Sequence, residues 1–411
     1  MIIAQQNGRT TIGAPDKLFG VSSKAKERIA EIGKENVIDS TIGVLLNDEG
    51  KLVVLESVMD CIRSLSPEDY AAYAPITGLP AYQAAVKEAV FLGEVPEGVF
   101  VESCYTPGGT GALRNAVSAY TKPGDKILTS DWHWNPYNLI AAELGRSVQT
   151  YQLFDNEDKF NGEGFEAALT EILAGQDETL VIVNTPAHNP TGYTFTENDW
   201  NTLLDIIKKF PEKKIALLVD IAYLDFAGDP KEYRFFLPML AGLPENILPL
   251  IAFSASKGYT MYGMRCGALL CMAPSAEIAK EFKDVMSVEC RASWSNGNRA
   301  AMTVLAKIFE DKALRAKVDA ERTHWMEVLA ERGGVFMKAA EEAGLTACPY
   351  DSGFFITIPC DHAEEAGKRL QDFNIFAIPM GCGIRVSVAS NTVEECKQMP
   401  AKIKQAIDES K

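Results

Sequence analysis

The sequence predicts an α/β protein, with a large domain on a mostly parallel sheet covered by helices and a smaller α+β domain after it. Three observations carry that expectation. Between Thr106 and Met272, short Val/Ile/Leu-rich runs alternate with segments whose apolar residues recur at helical spacing; parallel strands need this arrangement because a crossover must join each to the next. After Ser275 the pattern turns helical, then ends in strand-like runs interleaved with helices. At 411 residues and 44.9 kDa the chain exceeds what one hydrophobic core serves, so two domains are expected.

In order, Pro15-Asp16 is a turn signal, and a polar, weakly amphipathic helix is expected over Ser22–Ile32. Val37–Val44 reads as extended, with Gly43 where backbone can approach a ligand. Asn47–Gly50 is a turn, and Tyr73–Pro80 is a loop ahead of a helix at Ala81–Phe91. Thr106-Pro107-Gly108-Gly109-Thr110-Gly111 opens a helix whose apolar face is Leu113, Ala116, Val117 and Tyr120. Strands are expected at Lys126–Ser130, Ser147–Leu153, Thr179–Asn184, Ile215–Asp220, Ile247–Phe253 and Cys266–Met272, and helices at Pro136–Leu144, Phe165–Leu173 and Glu197–Lys208. Sheets of this kind bind ligands beyond the carboxyl ends of their strands. The helical stretch runs to Ala343 with a break near Ser295-Asn296-Gly297, and one long helix from Asn298 to Arg332 is expected to be shared by the domains. The last unit should hold strands at Gly353–Ile358, Asn374–Ile378 and Ile384–Val388, with helices at His362–Asp372 and Val393–Ile407.

A formal charge of −16 argues against a nucleic-acid partner, which needs a basic footprint. Nine scattered cysteines without a Cys-x-x-Cys pair suit reduced thiols. Met1–Arg9 lacks a basic leader, and no apolar run is long enough for a bilayer, so a cytoplasmic protein without membrane association is expected. His133, His188, His324 and His362 show no metal-ligand spacing, so no metal site is expected.

The residue of greatest chemical interest is Lys257, in Phe253-Ser254-Ala255-Ser256-Lys257-Gly258, directly after an apolar run and among small hydroxylated residues. Desolvation lowers an amine's pKa and frees its lone pair for attack on a carbonyl compound. A lysine at a strand end can equally be a snorkelling surface residue. Gly108-Gly109-Thr110-Gly111 ahead of a helix can cradle a phosphate on backbone amides, or be only a turn. It is neither a Walker loop nor a dinucleotide fingerprint. Asn189-Pro190-Thr191-Gly192 reads as a turn. Asp220 ends an apolar strand, where an acid caps the next turn or faces a ligand, and Tyr223 can be core. Arg385 within a strand pattern is costly unless a carboxylate or phosphate meets its fork. Arg265 and Arg291 are further anion-holding candidates, and Arg114 reads as surface.

Taken together, from Ile42 to Ala389, these stretches resemble the fold-type I pyridoxal-phosphate-dependent aminotransferases, and among them the aspartate/aromatic branch of class I. The resemblance implies a large domain on a seven-stranded, mostly parallel sheet at 46–297. An N-terminal segment, 1–45, would join the small C-terminal α+β domain at 298–411.

The resemblance also implies roles. Lys257 would bind the cofactor's aldehyde and then move the substrate Cα proton. Asp220 would keep the pyridine nitrogen protonated. Asn189 and Tyr223 would hydrogen-bond the phenolic oxygen, and Trp134 would stack on the ring, with Trp132 as the alternative. Gly108, Gly109, Thr110, Ser254, Ser256 and Arg265 would hold the phosphate, with Tyr73 reaching it from a neighbouring subunit. Arg385 would clamp the α-carboxylate, Gly43 would pass close to the substrate, and Arg291 would cross from the partner to the side-chain carboxylate. The sequence departs from the family at Asn135-Pro136-Tyr137, where a histidine is usual, and in the loop Gly258-Tyr259-Thr260-Met261.

The expected activity is transamination of aspartate or glutamate with a 2-oxo acid by a homodimer with shared sites. Aromatic amino acids are the alternative substrate. A β-lyase or decarboxylase on the same residues is the alternative reaction. A non-catalytic regulator of this fold would be expected to carry a DNA-binding module, and there is no room for one before Ile42.

Overall fold

The computed structural model describes residues 17–410, so the Pro15-Asp16 turn and Met1–Arg9 lie outside the described residues. The described residues divide into two compact units: one comprises Val54–Thr185 and Phe195–Arg322, the other residues 17–53, Pro186–Thr194 and residues 323–410.

Strands are numbered along the chain. β1 (Ile38–Asp39) belongs to the second unit. The sheet of the first unit comprises β2 (Phe100–Pro107), β3 (Lys126–Ser130), β4 (Ser147–Tyr151), β5 (Glu178–Asn184), β6 (Lys214–Asp220), β7 (Ile247–Ser254) and β8 (Cys266–Ala273). Their order is β2-β8-β7-β6-β5-β3-β4, seven strands as expected. The pairs β3–β4, β3–β5, β5–β6 and β6–β7 are parallel, whereas β8 runs antiparallel to both neighbours. In β6 every residue after Lys214 is buried, and β8 is buried throughout. Continuous apolar runs are what strands covered on both faces require. Leu113, Ala116 and Val117 of the helix Gly108–Tyr120, with Phe282, Met286 and Cys290 of the helix Ala276–Ser293, pack into one core with residues of β5, β6, β7 and β8.

The reversed strand matters for the site. Because β8 is antiparallel, its first residues lie at the edge where its neighbours deliver their last: Pro107 stands opposite Cys266 and Ser254 opposite Gly267. Arg265, just before β8, thereby joins the ends of β2 and β7. Strand β2 was not expected from the sequence. It is a sheet edge, paired with β8 alone, and its first three residues, Phe100 to Glu102, are exposed or half-buried, so Glu102 interrupts the apolar pattern.

In the second unit β12 (Gly383–Ser387) lies between β9 (Phe355–Pro359) and β11 (Ile378–Met380), antiparallel to both. The short β10 (Ile375–Phe376) pairs in parallel with β1. The single strand expected at Asn374–Ile378 is therefore two, in different sheets. Ile356, Ile358, Ile384 and Val386 fill this unit's core, with Leu370 and Ile403 from the helices Ala363–Asp372 and Val393–Glu409. Thr392 and Glu395 form a reciprocal capping box that starts the last helix. Arg332 is fully buried; it donates to the carbonyls of Leu46 and Ala389 at 3.0 and 3.1 Å and to Asp48 at 2.9 Å.

The expected helix from Asn298 to Arg332 is a pair, Arg299–Glu310 and Lys312–Glu342. Asp311 interrupts it: its carboxylate accepts from the amides of Ala313 and Leu314 at 2.8 and 3.1 Å and so caps a new helix start. No helix among the described residues is long and apolar enough to cross a membrane.

Candidate active site

The chemistry-bearing residues of the first unit gather at one sheet edge. Lys257 sits on a single helical turn, Ala255–Gly258, directly after β7. Ser254 caps that turn, its hydroxyl accepting from the Ser256 amide at 3.3 Å. Ala255, Ser256 and Gly258 are buried while Lys257 is half-buried. Its Nζ stands 4.9 Å from the centroid of Tyr262 and 5.7 Å from that of Tyr223. Lys257 is thus an amine among aromatic faces, away from the solvated surface that a snorkelling lysine seeks.

Beside it the helix Gly108–Tyr120 begins without a side-chain cap, so its opening amides and the positive end of its dipole are suited to an anion. The Arg265 guanidinium closes one side, donating to Ser256 Oγ at 3.2 Å, to the Tyr262 carbonyl at 3.0 Å and to the Pro107 carbonyl at 3.4 Å. Ser254 Oγ donates to Ser256 Oγ at 3.0 Å. Gly108 adopts φ +71°, and a Cβ there would overlap Arg265 Nη2. Glycine alone permits both that backbone and the approach of the guanidinium. Amides, two hydroxyls and a fixed guanidinium form a donor set suited to a phosphate group.

Asp220, at the carboxyl end of β6, is 6% exposed. The Tyr137 hydroxyl donates to its Oδ2 at 2.7 Å and the Ala222 amide to its Oδ1 at 3.2 Å. Burial pushes its pKa up to about 6, against the pull of those two hydrogen bonds. A buried acid poised in this way can meet a protonated ring nitrogen. Tyr223, three residues on, is buried and opens a one-turn 3₁₀ helix, Leu224–Phe226. Trp134 meets Tyr137 edge-on with centroids 5.7 Å apart, whereas Trp132 is buried. His133 stacks on Tyr137 at 6.2 Å; its Nδ1 lies 2.8 Å from the Ser130 carbonyl and its Nε2 2.7 Å from Asn138 Nδ2. Burial lowers its pKa, and the neutral ring with its proton on Nδ1 satisfies both contacts.

Tyr73, 87% exposed, and Arg291 line one surface cleft of about 680 Å³ with Trp294, Ser295, Asn296 and Gly297. The Arg291 guanidinium donates to Ser295 Oγ at 2.6 Å, and Asn296 ties the cleft together by donating to the Ala74 carbonyl at 2.8 Å.

In the second unit Arg385 lies in the central strand β12 and is 6% exposed. Its guanidinium donates to the Thr41 carbonyl at 3.1 Å and to Asn189 Oδ1 at 3.4 Å, over the Phe355 ring at 4.3 Å. These contacts orient the planar fork. Gly43 passes close to the same ring: a Cβ there would lie 2.5 Å from Phe355 Cζ. The turn at Asn189 is pinned by Thr357, whose hydroxyl donates to the Pro190 carbonyl at 2.7 Å. Gly192, at φ +82°, leaves room for the Tyr350 ring.

Tyr137 is a member of this constellation to which the sequence alone assigned no role. Pro136 at the first helical position signals the helix Pro136–Glu143, but a tyrosine on its apolar face reads as core. Only the departure at Asn135-Pro136-Tyr137 marked the place.

Known proteins share this architecture. A crystal structure of an aminotransferase from Anaerococcus prevotii superposes with TM-score 0.96 at 35% identity, covering 99% of this chain and all of that one. An aromatic-amino-acid aminotransferase from Burkholderia pseudomallei, described as covalently bound to pyridoxal phosphate, shares the fold with TM-score 0.79 at 22% identity, covering 96% of this chain and 97% of that one. The Escherichia coli aspartate aminotransferase is 27% identical over 395 residues, 93% of this chain and 95% of that protein. The aromatic-amino-acid aminotransferase of the same organism is 26% identical over 367 residues, 86% and 90%. Residues 35–403 match the family described as aminotransferase class I and II, and on a match of that extent the chain belongs to that family.

Proposed function

We propose that this aminotransferase uses pyridoxal phosphate to exchange the amino group of aspartate or glutamate with a 2-oxo acid. The observation that carries the reading is the half-buried Lys257 amine on a capped turn, flanked by an uncapped helix start with Arg265 and by the buried acid Asp220. The donor set matches the cofactor's phosphate and the Asp220 carboxylate can accept from its protonated ring nitrogen, so these residues fit the group. When bound, the cofactor supplies a ring that accepts negative charge developing at the substrate Cα.

The chain's own residues supply the rest. Lys257 Nζ would anchor the cofactor's aldehyde, and its amine would then move the substrate's Cα proton, as base where it leaves and as acid where it is delivered. Asp220 would keep a proton on the ring nitrogen, Trp134 would stack on the ring, and Tyr223 and Asn189 would hydrogen-bond its oxygen. Gly108, Gly109, Thr110, Ser254, Ser256 and Arg265 hold the phosphate by amide, hydroxyl and guanidinium donors. Arg385 is the clamp for the substrate α-carboxylate, pre-oriented by Thr41, Asn189 and Phe355, and Gly43 gives the substrate room.

Arg291 recognises a side-chain carboxylate. Its position with Tyr73 on an exposed cleft supports the reading that both serve a partner subunit's site in a homodimer. A cytoplasmic location is part of the same proposal. A second reading, aromatic amino acids, is favoured by the exposure of Arg291, whose guanidinium is held by the Ser295 hydroxyl and can swing aside.

The test is chemical. Protein incubated with pyridoxal phosphate and reduced with borohydride should carry the label at Lys257, and aspartate with 2-oxoglutarate should yield oxaloacetate. Label elsewhere, or none, would sink the reading.

A further inference from the structure

Behind the Lys257 turn lies a buried ion cluster that the proposed chemistry does not use. Asp225 sits on the 3₁₀ turn Leu224–Phe226, two residues after Tyr223. Its Oδ1 is 3.2 Å from Arg234 Nη2 and 3.4 Å from Arg322 Nη1. The three side chains are only 7–12% exposed. Both arginines are held by further partners. Arg234 also donates to the carbonyls of Val90, Pro230 and Ala89, each at 2.9 Å. Arg322 donates to Asp319 at 2.7 Å and lies 5.4 Å from the Tyr259 ring centroid.

The carboxylate is therefore held in place, and it fills the space where a side chain at Gly258, the neighbour of Lys257, would stand. A Cβ at 258 would overlap Asp225 Oδ2 and lie 2.9 Å from both its Cβ and Cγ. Gly258 lies in a helical turn and is not among the positive-φ glycines, so its backbone accepts alanine. The nearest obstacle to a side chain there is Asp225. Glycine at 258 and a clamped acid at 225 are thus one fitted pair, linking the segment that bears Asp220 and Tyr223 to the turn that bears Lys257.

We infer that Asp225, anchored by Arg234 and Arg322, is a positioning residue for Lys257: it fixes the height of the amine's turn against the Asp220–Tyr223 segment. The inference rests on Lys257 being the reacting amine. A displacement of the order of an ångström at a reacting group costs up to about 100-fold in rate, so a packed, charged stop behind the turn has a direct catalytic consequence.

The experiment compares wild type, Gly258→Ala, Asp225→Asn, Asp225→Gly and the double variant Gly258→Ala/Asp225→Gly, all as holoenzyme. Borohydride labelling of the wild type comes first: its failure at Lys257 would remove the functional reading itself, whatever the variants do. Given that label, Gly258→Ala should lower kcat roughly 10- to 100-fold with KM little changed. It should also move the pH midpoint of the bound cofactor's absorption band and slow labelling at Lys257. Asp225→Asn keeps the volume but loses the ion pairs that hold the stop, so it should lower kcat and move the absorption midpoint in the same direction as Gly258→Ala, by a smaller factor; wild-type values for both would overturn the inference. In the Asp225→Gly background, adding Gly258→Ala should have no further effect on any of the three readouts. Should Asp225→Gly fail to fold, Asp225→Ser takes its place. Equal loss from Gly258→Ala with and without the Asp225 side chain would overturn the inference. So would a Gly258→Ala variant with a lower melting temperature but wild-type kcat and absorption midpoint.

Discussion

Replacing Tyr137 by phenylalanine removes one hydroxyl from a buried position and leaves Asp220 with the Ala222 amide as its remaining donor in the pair of bonds described above. A hydrogen bond to a charged group contributes about 1.5–3 kcal/mol, and one pH unit corresponds to about 1.4 kcal/mol. The Asp220 pKa, already up to about 6 through burial, should therefore rise by roughly one to two units in the variant. The sign for stability follows. An acid whose folded pKa lies above its unfolded value of 3.8 makes the native state bind more protons between the two values, so stability falls as pH rises through that window. In wild-type protein without cofactor the fall should be complete soon above pH 6. In Tyr137→Phe it should continue for roughly one to two further units. The free-energy gap between the two proteins should thus be small near pH 5 and reach about 1.5–3 kcal/mol above pH 8. Denaturant unfolding of the cofactor-free proteins at fixed concentration across pH 5–8.5 measures it. A gap that stays constant across that range would show that the hydroxyl does not act on the ionised acid, and would refute the reasoning.

Three other substitutions separate the remaining roles. Arg265→Ala removes a charge-assisted phosphate contact of about 1.5–3 kcal/mol and should weaken pyridoxal phosphate binding roughly 10- to 100-fold in a fluorescence titration. Arg385→Lys replaces a planar fork with a point charge, so kcat/KM for every amino acid should fall about 10- to 100-fold while cofactor affinity stays at the wild-type value. Arg291→Ala should cut kcat/KM for aspartate by a similar factor and leave that for phenylalanine within about threefold, as read from a substrate panel. An aspartate value that does not move removes the dicarboxylate assignment.

Much of this arrangement was legible because local pattern and burial agree. The run Ile215–Val219 is apolar without alternation because β6 is covered on both faces, and the acid at its end, Asp220, stands out against it. Lys257 was visible for the same reason: small hydroxylated residues after an apolar strand are the wrong company for a surface lysine. What escaped depends on distant partners. An edge strand such as Phe100–Pro107 carries polar residues that a central strand would exclude. Asp225 looks like an ordinary loop acid until Arg234, nine residues on, and Arg322, much further along the chain, are seen to close on it. Pro186–Thr194 reads as a turn between elements of the large sheet, yet it packs with the second unit, because its neighbours are Tyr350, Phe355 and Thr357. Nothing in the local sequence of a turn records which side chains will later surround it.

The reversed strand β8 makes the anion cradle a composite of Gly108, the serines at 254 and 256, and Arg265, which are brought side by side only when three neighbouring strands have zipped together. A chain that has not completed that zipper has no cradle to offer. The vitamin-derived ligand would then bind the finished fold alone and stabilise it by about 2.7 kcal/mol at a hundredfold excess over its dissociation constant. In a starved cell the enzyme's persistence would track the supply of its own coenzyme.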